Sequence, residues 1–274
     1  MTRFGMVIDL ERCTGCRACM EADKVENNTP RGVFWMHVFR YEEGQYPDVE
    51  QKFLPLPCQH CQDAPCTKVC PTQARFTREE DGIVLTDFDK CIGCNYCWVA
   101  CPYGVNYLQE HREHGQYLQE DDVPEDKSET PPWKNPEMTA RYSPDDTPTA
   151  GGLQPNGVMG KCTFCVHRRG NGERTACEET CPVDAIHFGD FDDPDSRVNR
   201  VLEEKSDRPT FRLMEELGTE PNVIYIGEPP ATPEELEELE FGSEAHPIED
   251  KDEFKDPGEA IAAEEDIDHS LGAQ

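Results

Sequence analysis

The 274-residue sequence contains no apolar run approaching the roughly eighteen residues that a membrane span requires, so the chain is expected not to cross a bilayer. Basic residues are scarce: 26 Lys and Arg stand against 57 Asp and Glu, a formal net charge of -31. Nucleic acid is thereby excluded as a partner, because backbone phosphates need a basic face. Apolar residues make up only 36% of the chain, which is thin for one core of this length. Something other than hydrophobic burial is expected to hold it together. The N-terminal stretch MTRFGMVIDLERC lacks a basic segment followed by an apolar one, so no export signal of its own is expected. Walker, Rossmann and zinc-protease motifs are missing as well. His111 and His114 in HREH stand one residue too close for HExxH.

Cysteine, by contrast, is abundant and confined. All fifteen fall into four groups, Cys13 to Cys19, Cys58 to Cys70, Cys91 to Cys101 and Cys162 to Cys181. A disulfide framework suits short secreted chains, whereas here the count is odd and the thiols crowd within two or three residues of one another. Zinc accepts two CxxC pairs but rarely a third and fourth cysteine at these spacings. Iron-sulfur clusters are the remaining reading.

The spacing supports it. Cys91, Cys94, Cys97 and Cys101, followed by Pro102, reproduce the C-x2-C-x2-C-x3-C-P run that wraps a cubane. Three closely spaced thiolates reach three corners of one cube, and the fourth turns to a neighbouring cluster, so such runs come in pairs. Cys58, Cys61, Cys66 and Cys70, then Pro71, form a variant with a longer middle gap. Cys162, Cys165, Cys177 and Cys181, then Pro182, form another with a longer loop. Three C-x3-C-P endings in one chain are a specific signal, where one CxxC is a weak one. His60 lies among these cysteines without the second histidine that Rieske-type ligation needs, and is expected to donate a hydrogen bond near a cluster. Tyr96 and Trp98 are expected to pack around one.

Phe4 to Asp9 reads as a short strand. An aromatic stretch through Phe34, Trp35 and Phe39 leads to an expected linker around Tyr46 and Pro47. Ala74 to Arg78 and Ile83 to Thr86 flank an Asp-Gly step and read as a hairpin, and Ala185 to Phe188 as a further strand. Residues 109–158, with seven prolines, read as a long insertion that either docks on a partner or forms a solvated loop. Residues 228–274 carry 17 carboxylates and two lysines and read as an acidic, disordered tail, with a helical turn or two at Glu234 to Glu240. Without that tail the chain still holds 40 carboxylates against 24 basic residues. An acidic body of this kind suits a high-salt, halophilic setting in which self-repulsion is screened.

The order of spacings, with the stretches PCQHCQDAPCTKVCP, CIGCNYCWVACPYG and KCTFCVHR, resembles the four-cluster electron-transfer subunit of the complex iron-sulfur molybdoenzymes, over roughly residues 4–227. Members include the small hydrophilic subunits of dimethyl sulfoxide, polysulfide, tetrathionate and nitrate reductases. The resemblance implies an α+β fold of two pseudo-symmetric ferredoxin-like modules. One comprises residues 1–57 and 159–227, and the other residues 58–108. It further implies four ligand sets: Cys13, Cys16, Cys19 and Cys181; Cys58, Cys61, Cys66 and Cys101; Cys91, Cys94, Cys97 and Cys70; and Cys162, Cys165 and Cys177 with a ligand from the end of the first group. At that last position the family's cysteine is replaced by Asp23. Three all-cysteine 4Fe-4S clusters are therefore expected. The fourth is either a 4Fe-4S cluster bound by Asp23, since carboxylate is a competent though harder ligand, or a 3Fe-4S cluster beside a mere surface carboxylate.

The implied function is a non-catalytic relay for anaerobic respiration, carrying single electrons between a membrane anchor subunit that reacts with quinone or quinol and a catalytic molybdopterin subunit. The implied location is peripheral to the membrane, on the outer face if the catalytic partner carries an export signal and otherwise on the cytoplasmic face. A free soluble polyferredoxin and a zinc-dependent interaction protein are the alternatives.

Overall fold

A computed structural model of the chain describes residues 2–27, 29, 32–109, 157–170 and 172–230. The expected insertion, all but its first and last two residues, and the tail beyond residue 230, including Glu234 to Glu240, lie outside them.

The first strand, β1 (Phe4–Asp9), is apolar on both faces and becomes an interior strand of a four-stranded sheet. On one side it pairs antiparallel with β8 (Ile186–Asp190), Met6 facing Phe188. On the other it pairs parallel with β10 (Val223–Ile226), Met6 facing Val223, and β9 (Thr210–Phe211) completes the sheet beyond β10. The sheet thus joins the two sequence ends of the unit that spans residues 1–229. Helix α6 (Arg197–Glu204) covers one face by burying Val198 against Val7 and Ile226. The other face meets the main core of Met6, Ile8, Trp35, Leu85, Phe164, Ile186 and Tyr225, into which many of the cysteines are built.

Three two-stranded antiparallel pairs are also present among the described residues. β4 (Arg75–Thr77) and β5 (Val84–Thr86) form the expected Asp-Gly hairpin, in which Phe76 faces Leu85. β2 (His37–Gln45) and β3 (Asp48–Leu56) form a long hairpin whose turn is Tyr46 and Pro47, the segment expected to be a linker. Its ladder is hidden in the sequence because the strands are only partly buried. Glu42, Glu43, Glu50 and Gln51 break the alternation that marks a strand. β6 (Tyr107–Gln109) and β7 (Val158–Gly160) pair antiparallel, Gln109 facing Val158, and close the chain at the point where the excursion leaves and returns.

The remaining helices are short and sit in the cysteine groups: α1 (Ala18–Asn27), α2 (Pro65–Lys68), α3 (Tyr96–Val99), α4 (Val166–Gly170) and α5 (Ala176–Thr180). α1 packs against α5, and α2 against α3. The first cysteine group is thereby brought to the fourth, and the second to the third. Ferredoxin-like units of mixed helix and strand are the result.

Candidate metal centres

The loops between the cysteines repeat one another in backbone conformation. Gly15 and Gly93 both take positive φ, at 65° and 64°, and so do Arg17 and Asn95, each at 63°. A Cβ on Gly93 would come within 2.1 Å of the Gly157 carbonyl oxygen, so only glycine fits that turn. His60 and Phe164 share the left-handed region, at 42° and 53°, as do Gln73 and Asp184, at 55° and 50°. Such conformations are costly for non-glycine residues and are kept where surrounding structure imposes them. Here they recur at equivalent places in and just after the cysteine loops.

Cys58, Cys61, Cys66 and Cys101 line one cavity, with His60, Val84 and Tyr103 completing its wall. Cys70, Cys91, Cys94 and Cys97 line a second, with Arg75, Ile92 and Met159. In each case the last cysteine of one group has crossed to the other. Cys13 lies close enough to Cys16 and Cys181 for their charges to interact, and Cys19 lies close to Cys177, Cys13 and Cys181. Cys162, Cys165 and Cys177 form the fourth gathering, and Asp23 acts electrostatically on all three.

Asp23 is buried, at 3% exposure, which overturns the picture of a surface carboxylate. One carboxylate oxygen accepts from Asn27 Nδ2 at 2.9 Å, and the other accepts from the Met36 backbone N–H at 3.2 Å. Burial pushes its pKa up to about 7, against the pull of those two donors.

The donor set fits an iron-sulfur group. Burial pushes the Cys66 thiol up to about 11 and the Cys61 and Cys177 thiols up to about 12, and drives Cys162 and Cys165 well above the ordinary range. Desolvated thiolates need a cation, and metal coordination deprotonates a thiol outright. Backbone N–H groups already point at the sulfurs: His60 to Cys58 and Phe164 to Cys162, both at 3.5 Å, Arg75 to Cys70 and Met159 to Cys91, both at 3.4 Å, and Ala185 to Cys181 at 3.3 Å. Hydrogen bonds of this kind bear on cluster potential. Among the described residues no three His, Cys, Asp or Glu side chains converge on a single ion site. The thiols of the second and third groups line two cavities instead.

Several residues near the centres carried no sequence signal. Asn222 donates to the Gln59 carbonyl through its backbone N–H at 2.9 Å and to the His60 carbonyl through Nδ2 at 2.8 Å, tying the CxxC loop to β10. Lys161 and Arg75 are buried basic residues among the thiols. His60 takes the expected donor role through its backbone N–H, which points at Cys58 Sγ. Its ring Nδ1 accepts the Val84 N–H at 3.1 Å, and burial with the nearby Lys161 holds its pKa well below the ordinary value against a hydrogen bond to the Cys162 backbone. Tyr96 and Trp98 depart from expectation. Both are more than half exposed, with Ile92 and Val99, because α3 has a single turn and only its Cys97 face is buried.

Thiols gathered around ferredoxin-like turns mark an iron-sulfur protein, and residues 49–117 and 152–191 match the 4Fe-4S dicluster domain family. The iron-sulfur subunit of the arsenate respiratory reductase of Shewanella sp. (strain ANA-3) is 40% identical over 228 residues, covering 82% of this chain and 96% of that one. A selenate reductase subunit of Mesobacillus selenatarsenatis is 41% identical over 222 residues, covering 81% and 70%. The iron-sulfur cluster-binding subunit of the menaquinone reductase of Nitratidesulfovibrio vulgaris is 36% identical over 252 residues, covering 82% and 88%. The chain belongs to the family of iron-sulfur electron-transfer subunits of reductase complexes of the molybdoenzyme type. Among the described residues no helix is long and apolar enough to cross a membrane.

Proposed function

We propose that this chain is the relay subunit of a respiratory oxidoreductase and holds four clusters in a row. The carrying observation is the exchange of fourth cysteines: Cys101 faces the cavity of Cys58, Cys61 and Cys66, while Cys70 faces that of Cys91, Cys94 and Cys97. Clusters bound there would supply one-electron carriers. The ligand sets are Cys13, Cys16, Cys19 and Cys181; Cys162, Cys165, Cys177 and Asp23; Cys58, Cys61, Cys66 and Cys101; and Cys91, Cys94, Cys97 and Cys70.

That spatial order is supported by neighbouring thiols. Cys19 interacts with Cys177, Cys162 with Cys58, and Arg75 reaches from Cys66 to Cys97. The two outer sets each have one exposed cysteine, Cys16 and Cys94, and would exchange electrons with partners. Repetition of the loop conformations supports two pseudo-symmetric modules, residues 1–57 with 159–227 and residues 58–108. The partners are a catalytic molybdopterin subunit and a quinone-reactive membrane anchor, with this chain peripheral to the membrane. The menaquinone reductase relative favours a quinone link.

Protein purified without oxygen should contain close to four cubane equivalents of iron and acid-labile sulfide. A zinc-loaded, sulfide-free protein would end the reading. A native complex isolated through a tag on this chain should carry molybdopterin and a membrane polypeptide. Isolation as a lone brown protein would favour a freely diffusing polyferredoxin.

A further inference from the structure

Two buried basic side chains stand between the proposed centres. Lys161 is 2% exposed, and its Nζ donates to the Cys162 carbonyl at 2.9 Å and to the Val84 carbonyl. It therefore bridges the gathering of Cys162, Cys165 and Cys177 to the cavity that Val84 lines with Cys58, Cys61, Cys66 and Cys101. Arg75 is 3% exposed and lines the neighbouring cavity of Cys70, Cys91, Cys94 and Cys97. Its Nη2 donates to Cys97 Sγ at 3.4 Å, while its Nε and Nη1 have no hydrogen-bond partner among the described residues. Both side chains act on Cys66.

Neither has a carboxylate partner among the described residues, in contrast to Arg169 nearby, which pairs with Asp81 at 3.2 Å. A desolvated cation is costly unless something negative offsets it. Thiolate sulfurs with a reduced cluster are the negative charge available at this place. A positive charge that compensates them favours the reduced state, which carries one more negative charge.

We propose that Lys161 and Arg75 are positioning residues that raise the reduction potential of the centre bounded by Cys58, Cys61, Cys66 and Cys101, making it an electron-holding site inside the relay. The proposal rests on the four-centre reading above. Lys161 acts also on the neighbouring Asp23-containing centre, and Arg75 on that of Cys97. Cys66 of the Cys58 centre feels both.

The test is a redox titration of the full-length, anaerobically purified protein, followed by electron paramagnetic resonance, for the original chain, K161Q and R75Q. In each variant the same signal should become harder to reduce, its reduction equilibrium constant falling about tenfold, which is 59 mV for a one-electron couple. The signal of the Cys13, Cys16, Cys19 and Cys181 centre should stay in place. K161R and R75K should keep the original potentials, because they keep the charge. Iron and sulfide content separates the two levels of claim: loss of both from the original chain removes the four-centre reading, whereas intact content with unmoved potentials removes this proposal alone. If the glutamine variants shed a cluster, K161R and R75K carry the decision. A potential displaced about tenfold with the charge retained would show that shape, not charge, sets it.

Discussion

The ring of His60 stacks on that of Phe164, with centroids 3.8 Å apart and planes at 25°. Each residue stands two places after the first cysteine of its loop, each holds positive φ, and each donates its N–H to that cysteine at 3.5 Å. Equivalent residues of the second and fourth cysteine groups therefore touch, at the place where Cys58 and Cys162 approach one another. Because Phe164 is buried, at 1% exposure, truncation to alanine would leave a large void. Phe164→Ala should cost roughly 3–5 kcal/mol. The midpoint of iron release in anaerobic denaturant should fall accordingly, and an unchanged midpoint would show that the stack contributes nothing to joining the loops.

Asp23 offers a sharper test. If its carboxylate binds iron beside Cys162, Cys165 and Cys177, that iron has the hardest ligand of the set and should leave first on oxidation, producing a three-iron paramagnetic signal. Asp23→Cys should suppress the signal and shift one potential, since ligand identity is a main determinant. Asp23→Ala should make the three-iron form permanent and lower the iron content by about one per chain. Identical spectra from all three proteins would mean that the carboxylate serves only Asn27 and Met36.

Chelation of iron should unfold the chain. Segments as distant as Cys13 and Cys181 meet through their thiols, and metal binding that links such segments is folding free energy. Circular dichroism should lose its native signal as iron is stripped, and retention of that signal would contradict the claim.

Removing salt should destabilise the protein, because 57 carboxylates face only 26 Lys and Arg and their repulsion grows as screening falls. The thermal midpoint measured anaerobically should rise with ionic strength. A midpoint independent of salt from the millimolar to the molar range would remove the link to a saline habitat.

Deleting residues 231–274 should leave iron content and potentials unchanged. No cysteine lies beyond Cys181, and β10, the last strand among the described residues, ends at Ile226 inside the unit of residues 1–229. Loss of iron on truncation would show that the acidic segment supports the centres.

Cysteine spacing alone determined that iron-sulfur chemistry was to be expected, because three C-x3-C-P endings restrict which thiols a short loop can present together. The family resemblance marked Asp23 as the odd position, and local apolar runs marked β1, β8 and the Asp-Gly hairpin. Those are properties of neighbours in sequence. The hairpin around Tyr46 and Pro47 stayed hidden because its strands are charged and only partly buried, so no apolar alternation recorded it. Burial of Asp23 against Asn27 and Met36, the stack of His60 on Phe164, and the wedging of Lys161 and Arg75 among the thiols came only from tertiary structure. Each depends on packing between segments that no run of neighbouring residues records. No local pattern encodes the stack of His60 on Phe164, about a hundred positions apart; only the closing of the chain brings the two loops together.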